Sequence, residues 1–107
     1  MTERQWQKLV IDYAHLHGFR VAHFRPAPTG REGRWVTPVA LDGKGFPDLV
    51  MVRESPPAVV FAELKAAKGR VSADQQAWLD ALRAAGAQVF VWRPDAWAEV
   101  QRVLGRA

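Results

Sequence analysis

The first apolar residues of the chain recur at intervals of three or four positions. This spacing predicts an amphipathic helix with one apolar face. Thr2, followed three residues later by Gln5, predicts a capping box at the start of this helix, and Gly18 predicts its end. The apolar positions are Trp6, Leu9, Val10, Tyr13 and Leu16.

Four short, mostly apolar segments predict β-strands. They cover residues 20–24, 48–52, 58–65 and 88–92. The third segment is apolar over most of its length, which is typical of a central strand covered on both faces. Residues 25–45, in contrast, contain many Pro, Gly and Arg residues, so we expect a long loop or a loosely formed hairpin there.

Two further helices are predicted in the second half of the chain. Ser72 is expected to begin one that ends at Gly86, and Asp95 is expected to cap the last. Their apolar stripes are Trp78, Leu79 and Leu82 in the first of these and Trp97, Val100 and Leu104 in the second. The predicted order α-β-β-β-α-β-α favours an α/β fold, with a mixed sheet flanked by helices.

The size and composition of the chain fit one globular domain that spans residues 1–107. The absence of cysteine excludes disulfides, a cysteine nucleophile and a cysteine-rich zinc site. No apolar run approaches the length of about 18 residues that a membrane span requires. Residues 1–5 do not resemble a signal peptide. We therefore expect a soluble, cytoplasmic protein that is neither secreted nor bound to a membrane.

Ionisable residues at the ends of two predicted strands suggest a reactive site. Glu63 and Lys65 are two positions apart in one strand, so their side chains point to the same face. If the preceding strand pairs with it as a hairpin, Asp48 approaches Glu63. Two adjacent carboxylates repel each other, and a hard divalent cation such as Mg²⁺ would stabilise them by binding to both. The alternative is a surface ion pair between Glu63 and Lys65, with Asp48 as a turn residue.

The motif around these residues resembles that of a known nuclease superfamily. Gly-Phe-Pro-Asp-Leu at residues 45–49, followed by Phe-Ala-Glu-Leu-Lys at residues 61–65, is similar to the motif of the PD-(D/E)xK nucleases. The downstream run Lys-Gly-Arg-Val-Ser-Ala-Asp-Gln at residues 68–75 narrows the resemblance to the VRR-NUC family. The resemblance implies a restriction-endonuclease-like fold and a metal-dependent nuclease activity.

The resemblance also implies roles for individual residues. Asp48 and Glu63 would bind Mg²⁺ or Mn²⁺ together with the backbone carbonyl of Leu64. The chemistry of a lysine beside such a metal site suggests that Lys65 would orient or help deprotonate the attacking water, or stabilise the phosphorane. Glu3 on the first helix and Gln75 on the second would complete the catalytic set, with Glu3 as a further candidate metal ligand.

Glu3 and Gln75 also have structural explanations. An acid is favoured in the first turn of a helix, and a glutamine three residues after Ser72 fits a capping box. Glu3 lies on the apolar stripe of its helix, and Gln75 lies on that of the next. We therefore expect both side chains to face inward.

Basic residues around the predicted site suggest how DNA is held. The net charge of the chain is +4, which favours a polyanionic partner. Contacts from these residues to phosphates would be independent of sequence. Trp35 lies among them and either stacks on an exposed base or covers the edge of the sheet. The candidate DNA-binding residues are Arg25, Arg31, Arg34, Lys44, Lys68 and Arg70.

The leading hypothesis is a metal-dependent, structure-selective DNA endonuclease. Stand-alone, phage-type members of the resembled family look like homodimeric resolvases of four-way (Holliday) junctions, and a domain this small has little surface for sequence readout. One alternative is a monomeric flap or nicking nuclease. Another is a basic module that binds nucleic acid without cutting it, and a third is a basic scaffold without metal affinity.

Overall fold

A computed structural model describes residues 1–24, 27–28, 35–36 and 39–106, with only the backbone given for the two dipeptides. The elements are α1 (Glu3–Leu16), β1 (Arg20–His23), β2 (Ala27–Pro28), β3 (Trp35–Val36), β4 (Leu49–Arg53), β5 (Ala58–Leu64), α2 (Ala73–Ala84), β6 (Gln88–Trp92), a 3₁₀ turn (Pro94–Ala96) and α3 (Trp97–Leu104). Within the described residues, no helix is long and apolar enough to cross a membrane.

The principal sheet has four strands in the order β1-β4-β5-β6. β4 is antiparallel to both β1 and β5, whereas β5 and β6 are parallel. A parallel pair requires a crossover, and α2 supplies it. The prediction of an α/β fold with a mixed sheet flanked by helices is therefore confirmed. Inside the segment predicted as a loop or hairpin, β2 and β3 form a two-residue antiparallel ribbon.

The core lies between one face of this sheet and the two terminal helices. Alternate residues of β4 and β5 point to this face because successive side chains in a strand point to opposite sides. They pack against one stripe of α1 and one of α3. The fully buried members include Trp6, Val10, Met51, Val60, Leu64, Val100 and Leu104.

Two predictions about apolar faces are wrong. β5 is not covered on both faces, since Val59 is 48% exposed on the side away from the core. The reason is that α2 packs mainly against the neighbouring strand β6. On α1, Leu9 and Leu16 are exposed, and the buried stripe consists of Trp6, Val10 and Ala14.

Of the three helix starts predicted from the sequence, two are confirmed. Capping boxes formed by Thr2 with Gln5 and by Ser72 with Gln75 begin α1 and α2. The prediction that Asp95 caps the last helix is wrong, because α3 begins at Trp97 and no side chain caps it. Pro94 starts a 3₁₀ turn that holds Asp95 before the cap position.

A shared hydrogen-bond acceptor fixes α1 against the end of β5. The carbonyl oxygen of Trp92 accepts the indole N–H of Trp6 at 2.9 Å. It also accepts the backbone N–H of Lys65 at 3.1 Å. The beginning of α1 is thus held beside the strand end that carries the predicted catalytic residues.

Candidate active site

Asp48 and Glu63 meet where β4 begins and β5 ends. The β4–β5 register pairs Leu49 with Ala62, so the next step along the hairpin brings Asp48 opposite Glu63. The backbone N–H of Asp48 donates to Oε2 of Glu63 at 3.1 Å. In return, the N–H of Leu64 donates to Oδ2 of Asp48 at 3.2 Å. Each carboxylate is therefore oriented by the backbone of the other strand.

The loop before Asp48 is held against the start of α2. Gly45 has a φ of +88°, and a Cβ at this position would lie 2.6 Å from the carbonyl oxygen of Asp74. Only glycine allows both this backbone conformation and this close approach. Pro47, next to Asp48, is fully buried. The Gly-Phe-Pro part of the motif therefore sets the position of the aspartate.

Gln75 combines the two roles that the sequence suggested. Its Oε1 accepts the backbone N–H of Ser72 at 2.8 Å, which completes the capping box of α2. Its Nε2 donates to Oε1 of Glu63 at 2.6 Å. Because the cap occupies the amide oxygen, the amide nitrogen is the atom left to face the carboxylate.

Lys65 brings a positive charge to the same point. Its Nζ lies 3.8 Å from Oε1 of Glu63. The side chain of Glu63 is 1% exposed and that of Lys65 is 15% exposed, so this pair is not the solvated surface ion pair of the alternative explanation. Water screens a charge pair much less at this depth than at the surface.

Both carboxyl groups hold their protons more tightly than usual. Burial raises the pKa of Asp48 from 3.8 to about 6, although the Leu64 N–H and Lys65 oppose the shift. Burial, followed by the charge of Asp48, raises the pKa of Glu63 from 4.5 to about 7. One ammonium does not offset the buried carboxylate of Glu63 and the adjacent half-buried carboxylate of Asp48, and a divalent cation would offset them. The carboxylate oxygens are also the ligands that Mg²⁺ and Mn²⁺ prefer.

These residues line a cleft of about 1050 Å³. The lining residues come from the exposed side of α1 and from the ends of β1, β4 and β5. Glu3 is one of them, and its negative charge is among the causes that raise the pKa of Asp48 and of Glu63. Its side chain is exposed, so the prediction that it is turned away from open water is wrong. Its position in the first turn of α1 leaves it beyond the buried stripe. The described residues contain no cluster of three or more His, Asp or Glu side chains placed to hold a metal.

The structure separates the predicted site residues into three groups. Asp48, Lys65 and Gln75 each contact Glu63, and Leu64 and Glu3 line the same cleft. Lys44, Lys68 and Arg70 are exposed, and none of them lines this cleft. Lys44 forms an ion pair with Asp74 at 3.3 Å. The predicted residues Arg25, Arg31 and Arg34 lie outside the described residues, and so does the side chain of Trp35.

Several cleft residues were missed by the sequence-based prediction, among them two cations and an aromatic ring. Arg4 and Lys8 line the cleft from α1, and Phe24 lines it from the position after β1. The spacing of four residues between Arg4 and Lys8 places them on one side of the helix, which the sequence already indicated. Nothing in the sequence distinguished Phe24 from the other aromatic residues.

Comparison with known families gives one match. The family model described as the VRR-NUC domain matches residues 36–96. The matched segment contains Asp48, Glu63, Lys65 and Gln75, whereas Glu3, Arg4 and Phe24 precede it. Neither a curated protein nor a solved structure matches the chain.

Proposed function

Since this chain belongs to the VRR-NUC family of nucleases, we propose that it is a divalent-metal-dependent endonuclease acting on branched DNA. The observation that carries the proposal is the convergence of Asp48 and Glu63 beside Lys65 in an open cleft. Ionising two adjacent carboxyl groups with raised pKa values destabilises the metal-free site, and a bound cation would relieve that cost.

Mg²⁺ or Mn²⁺ would be held by Asp48 and Glu63 together with the backbone carbonyl of Leu64. Glu3, which lines the same cleft, is a further candidate ligand. Mg²⁺ commonly uses one or two carboxylates and keeps several waters, so Asp48 and Glu63 are sufficient. When bound, such an ion polarises the phosphodiester and lowers the pKa of a coordinated water.

The remaining residues position the reacting groups. Gln75 donates to Glu63 and so holds its carboxylate in one orientation. Lys65 orients the attacking water or stabilises the negative charge that develops on the phosphorane. Its small exposed fraction keeps the ammonium group in a site of low dielectric, where each of these interactions is stronger than in water.

Four-way junctions are the proposed substrate, and a homodimer is the proposed assembly. A chain of 107 residues offers little surface for base-specific contacts, so the shape of the DNA is the property it can recognise. A two-fold dimer would present two identical clefts to the strands of a symmetric junction. Light scattering on the purified protein tests the dimer, because a monomeric mass at micromolar concentration would favour a flap or nicking nuclease instead.

The decisive experiment is cleavage of labelled four-way, flap and linear duplex DNA with Mg²⁺, Mn²⁺ or EDTA. We expect the wild type to cut the junction with either metal and Glu63→Gln to cut it at least about 100-fold more slowly. Glu54→Gln, which changes an exposed acid in the turn between β4 and β5, is the matched control and should leave the rate unchanged.

Two other results would change the assignment. Cleavage of flaps alone would identify a flap nuclease. Tight DNA binding without cleavage in either metal would leave only a basic binding module and would overturn the proposed activity.

A further inference from the structure

Phe24 is an exposed aromatic residue in a cleft otherwise lined mainly by polar and charged side chains. Its side chain is 39% exposed and lines the same cleft as Asp48 and Glu63. Its backbone N–H donates to the carbonyl oxygen of Asp48 at 2.8 Å. This backbone hydrogen bond holds Phe24 next to Asp48, the residue proposed to bind the metal.

Neighbouring aromatic rings hold Phe24 in place. Its ring meets that of Phe46 edge to face, with centroids 5.4 Å apart and an interplanar angle of 86°. Phe46 in turn contacts Phe61 and Trp78 in the same manner, at 6.1 Å and 5.0 Å. An edge-to-face contact covers at most one face of a ring. Phe24 is thus a braced ring with at least one face not covered by Phe46.

The charges on the cleft indicate what contacts this ring. The cations Arg4, Lys8 and Lys65 line the cleft together with four acids, Glu3, Asp12, Asp48 and Glu63. The proposed divalent metal would offset the charges of Asp48 and Glu63. Lys8 is paired with Asp12 at 2.6 Å, whereas the guanidinium of Arg4 has no ion-pair partner among the described residues. A ligand that suits both cations and an open aromatic ring needs anionic groups and a flat apolar part. A nucleotide has both, with its phosphate and its base.

We propose that Phe24 stacks on the base of an unpaired or unstacked nucleotide next to the scissile phosphate, while Arg4 holds a neighbouring phosphate. The proposal rests on the proposed nuclease function and adds a basis for its substrate class. A base in a regular duplex is already stacked between its neighbours, so a protein ring reaches its face only after unstacking it. That cost is smallest at a nucleotide that is already unpaired, as in a flap. It is also lower at the centre of an open four-way junction, where the bases stay paired but lose a stacking neighbour. Phe24 would therefore favour branch points and flaps over intact duplex.

Photocrosslinking tests the contact directly. A flapped duplex with 5-iodouracil at the first unpaired position is irradiated with the protein in Ca²⁺, and the crosslinked peptide is identified by mass spectrometry. We expect the wild type and Phe24→Trp to crosslink at position 24, and Phe24→Leu to lose the crosslink. Phe24→Leu should also lose about tenfold in its preference for flapped over fully paired DNA.

The matched control is Leu9→Ala. Leu9 is 37% exposed, close to the value for Phe24, and lies on α1 without lining the cleft. We expect this variant to crosslink and to discriminate between the two DNAs as the wild type does. An unchanged crosslink pattern and an unchanged preference in Phe24→Leu would overturn the proposal.

Failure of this inference is distinguishable from failure of the nuclease function. Crosslinking in Ca²⁺ requires no cleavage, whereas the nuclease function is tested by metal-dependent cutting and its loss in Glu63→Gln. Cutting by the wild type together with an unchanged Phe24→Leu variant would preserve the nuclease and exclude the stacking contact.

Discussion

At the scale of single residues, the site is defined by two adjacent acids, the buried Glu63 and the half-buried Asp48. Glu63 is almost completely buried, yet it accepts hydrogen bonds from Gln75 and from the Asp48 backbone and lies near Lys65. These contacts favour its ionised form, while burial and the neighbouring Asp48 carboxylate disfavour that form more strongly. The raised pKa values therefore make the metal-free site sensitive to pH.

The metal-free protein should lose stability as the pH rises from about 4 to about 7. Below the ordinary values of 3.8 and 4.5, Asp48 and Glu63 are protonated in both the folded and the unfolded state. Between these values and the raised values of about 6 and 7, the folded protein binds more protons than the unfolded chain. The free energy of unfolding therefore decreases with pH in this window.

Thermal unfolding in EDTA measures this dependence. The Tm of Glu63→Gln should fall less steeply than that of the wild type between pH 5 and 8, because one of the two titrating groups is gone. Added Mg²⁺ should raise the wild-type Tm most at pH 8, where protons no longer compete for the carboxylates. Parallel Tm curves for the two proteins would contradict the assignment.

At the scale of elements, the start of α2 links helix capping to the site. Ser72 and Gln75 form the same capping box that Thr2 and Gln5 form on α1. Only in the α2 capping box does the glutamine also donate a hydrogen bond to a buried carboxylate, that of Glu63. The cap determines which end of the Gln75 amide faces Glu63, so removing it should affect both stability and catalysis.

Ser72→Ala and Thr2→Ala form a matched pair that separates these two effects. Each variant loses an N-cap hydroxyl, which typically costs about 1 kcal/mol of stability. We expect similar decreases in urea midpoint for the two variants. Ser72→Ala should lower kcat for DNA cleavage more than Thr2→Ala does, because its partner Gln75 donates a hydrogen bond to Glu63, whereas Gln5 only lines the cleft. Equal cleavage rates would show that Gln75 keeps its orientation without the cap.

At the scale of the whole molecule, one buried arginine joins segments that are distant in sequence. The guanidinium of Arg53 donates to the carbonyl oxygens of His17, Leu104 and Pro56 at 3.2, 3.0 and 2.9 Å. It also lies 4.5 Å from the centre of the Phe19 ring. The carbonyls of His17 and Leu104 belong to the ends of α1 and α3, where a positive charge is favoured by the helix dipoles.

Replacing Arg53 with methionine should destabilise the protein by about 2 to 4 kcal/mol, since carbonyl groups at two helix ends lose a charged donor. Urea denaturation provides the measurement. Arg102→Met is the control, because Arg102 is exposed and forms only a surface ion pair with Glu99 at 3.6 Å. That pair should contribute less than about 1 kcal/mol. Equal losses in the two variants would contradict the linking role of Arg53.

Much of the fold was predictable because local rules act over short distances. The two capping boxes, the strand from Gln88 to Trp92 and the glycines that follow α1 and α2 all follow from residues within one or two turns of each other. Asp95 was misassigned because Pro94 imposes a 3₁₀ turn that competes with a simple cap. The prediction that both faces of β5 are covered is wrong at Val59, because the burial of that face depends on where α2 packs rather than on the sequence of the strand.

The sequence by itself determined which chemistry is available. Asp48, Glu63 and Lys65 follow from their motif and from the two-residue period of a strand, and the match to residues 36–96 agrees with the family that this motif suggested. Only the tertiary structure decided how these residues are used. The β4–β5 register brings the carboxylates together, the α2 cap directs Gln75 to Glu63, and the packing of α1 brings Arg4 to the cleft that Phe24 also lines. These are contacts between distant segments, and packing rather than local propensity sets their geometry.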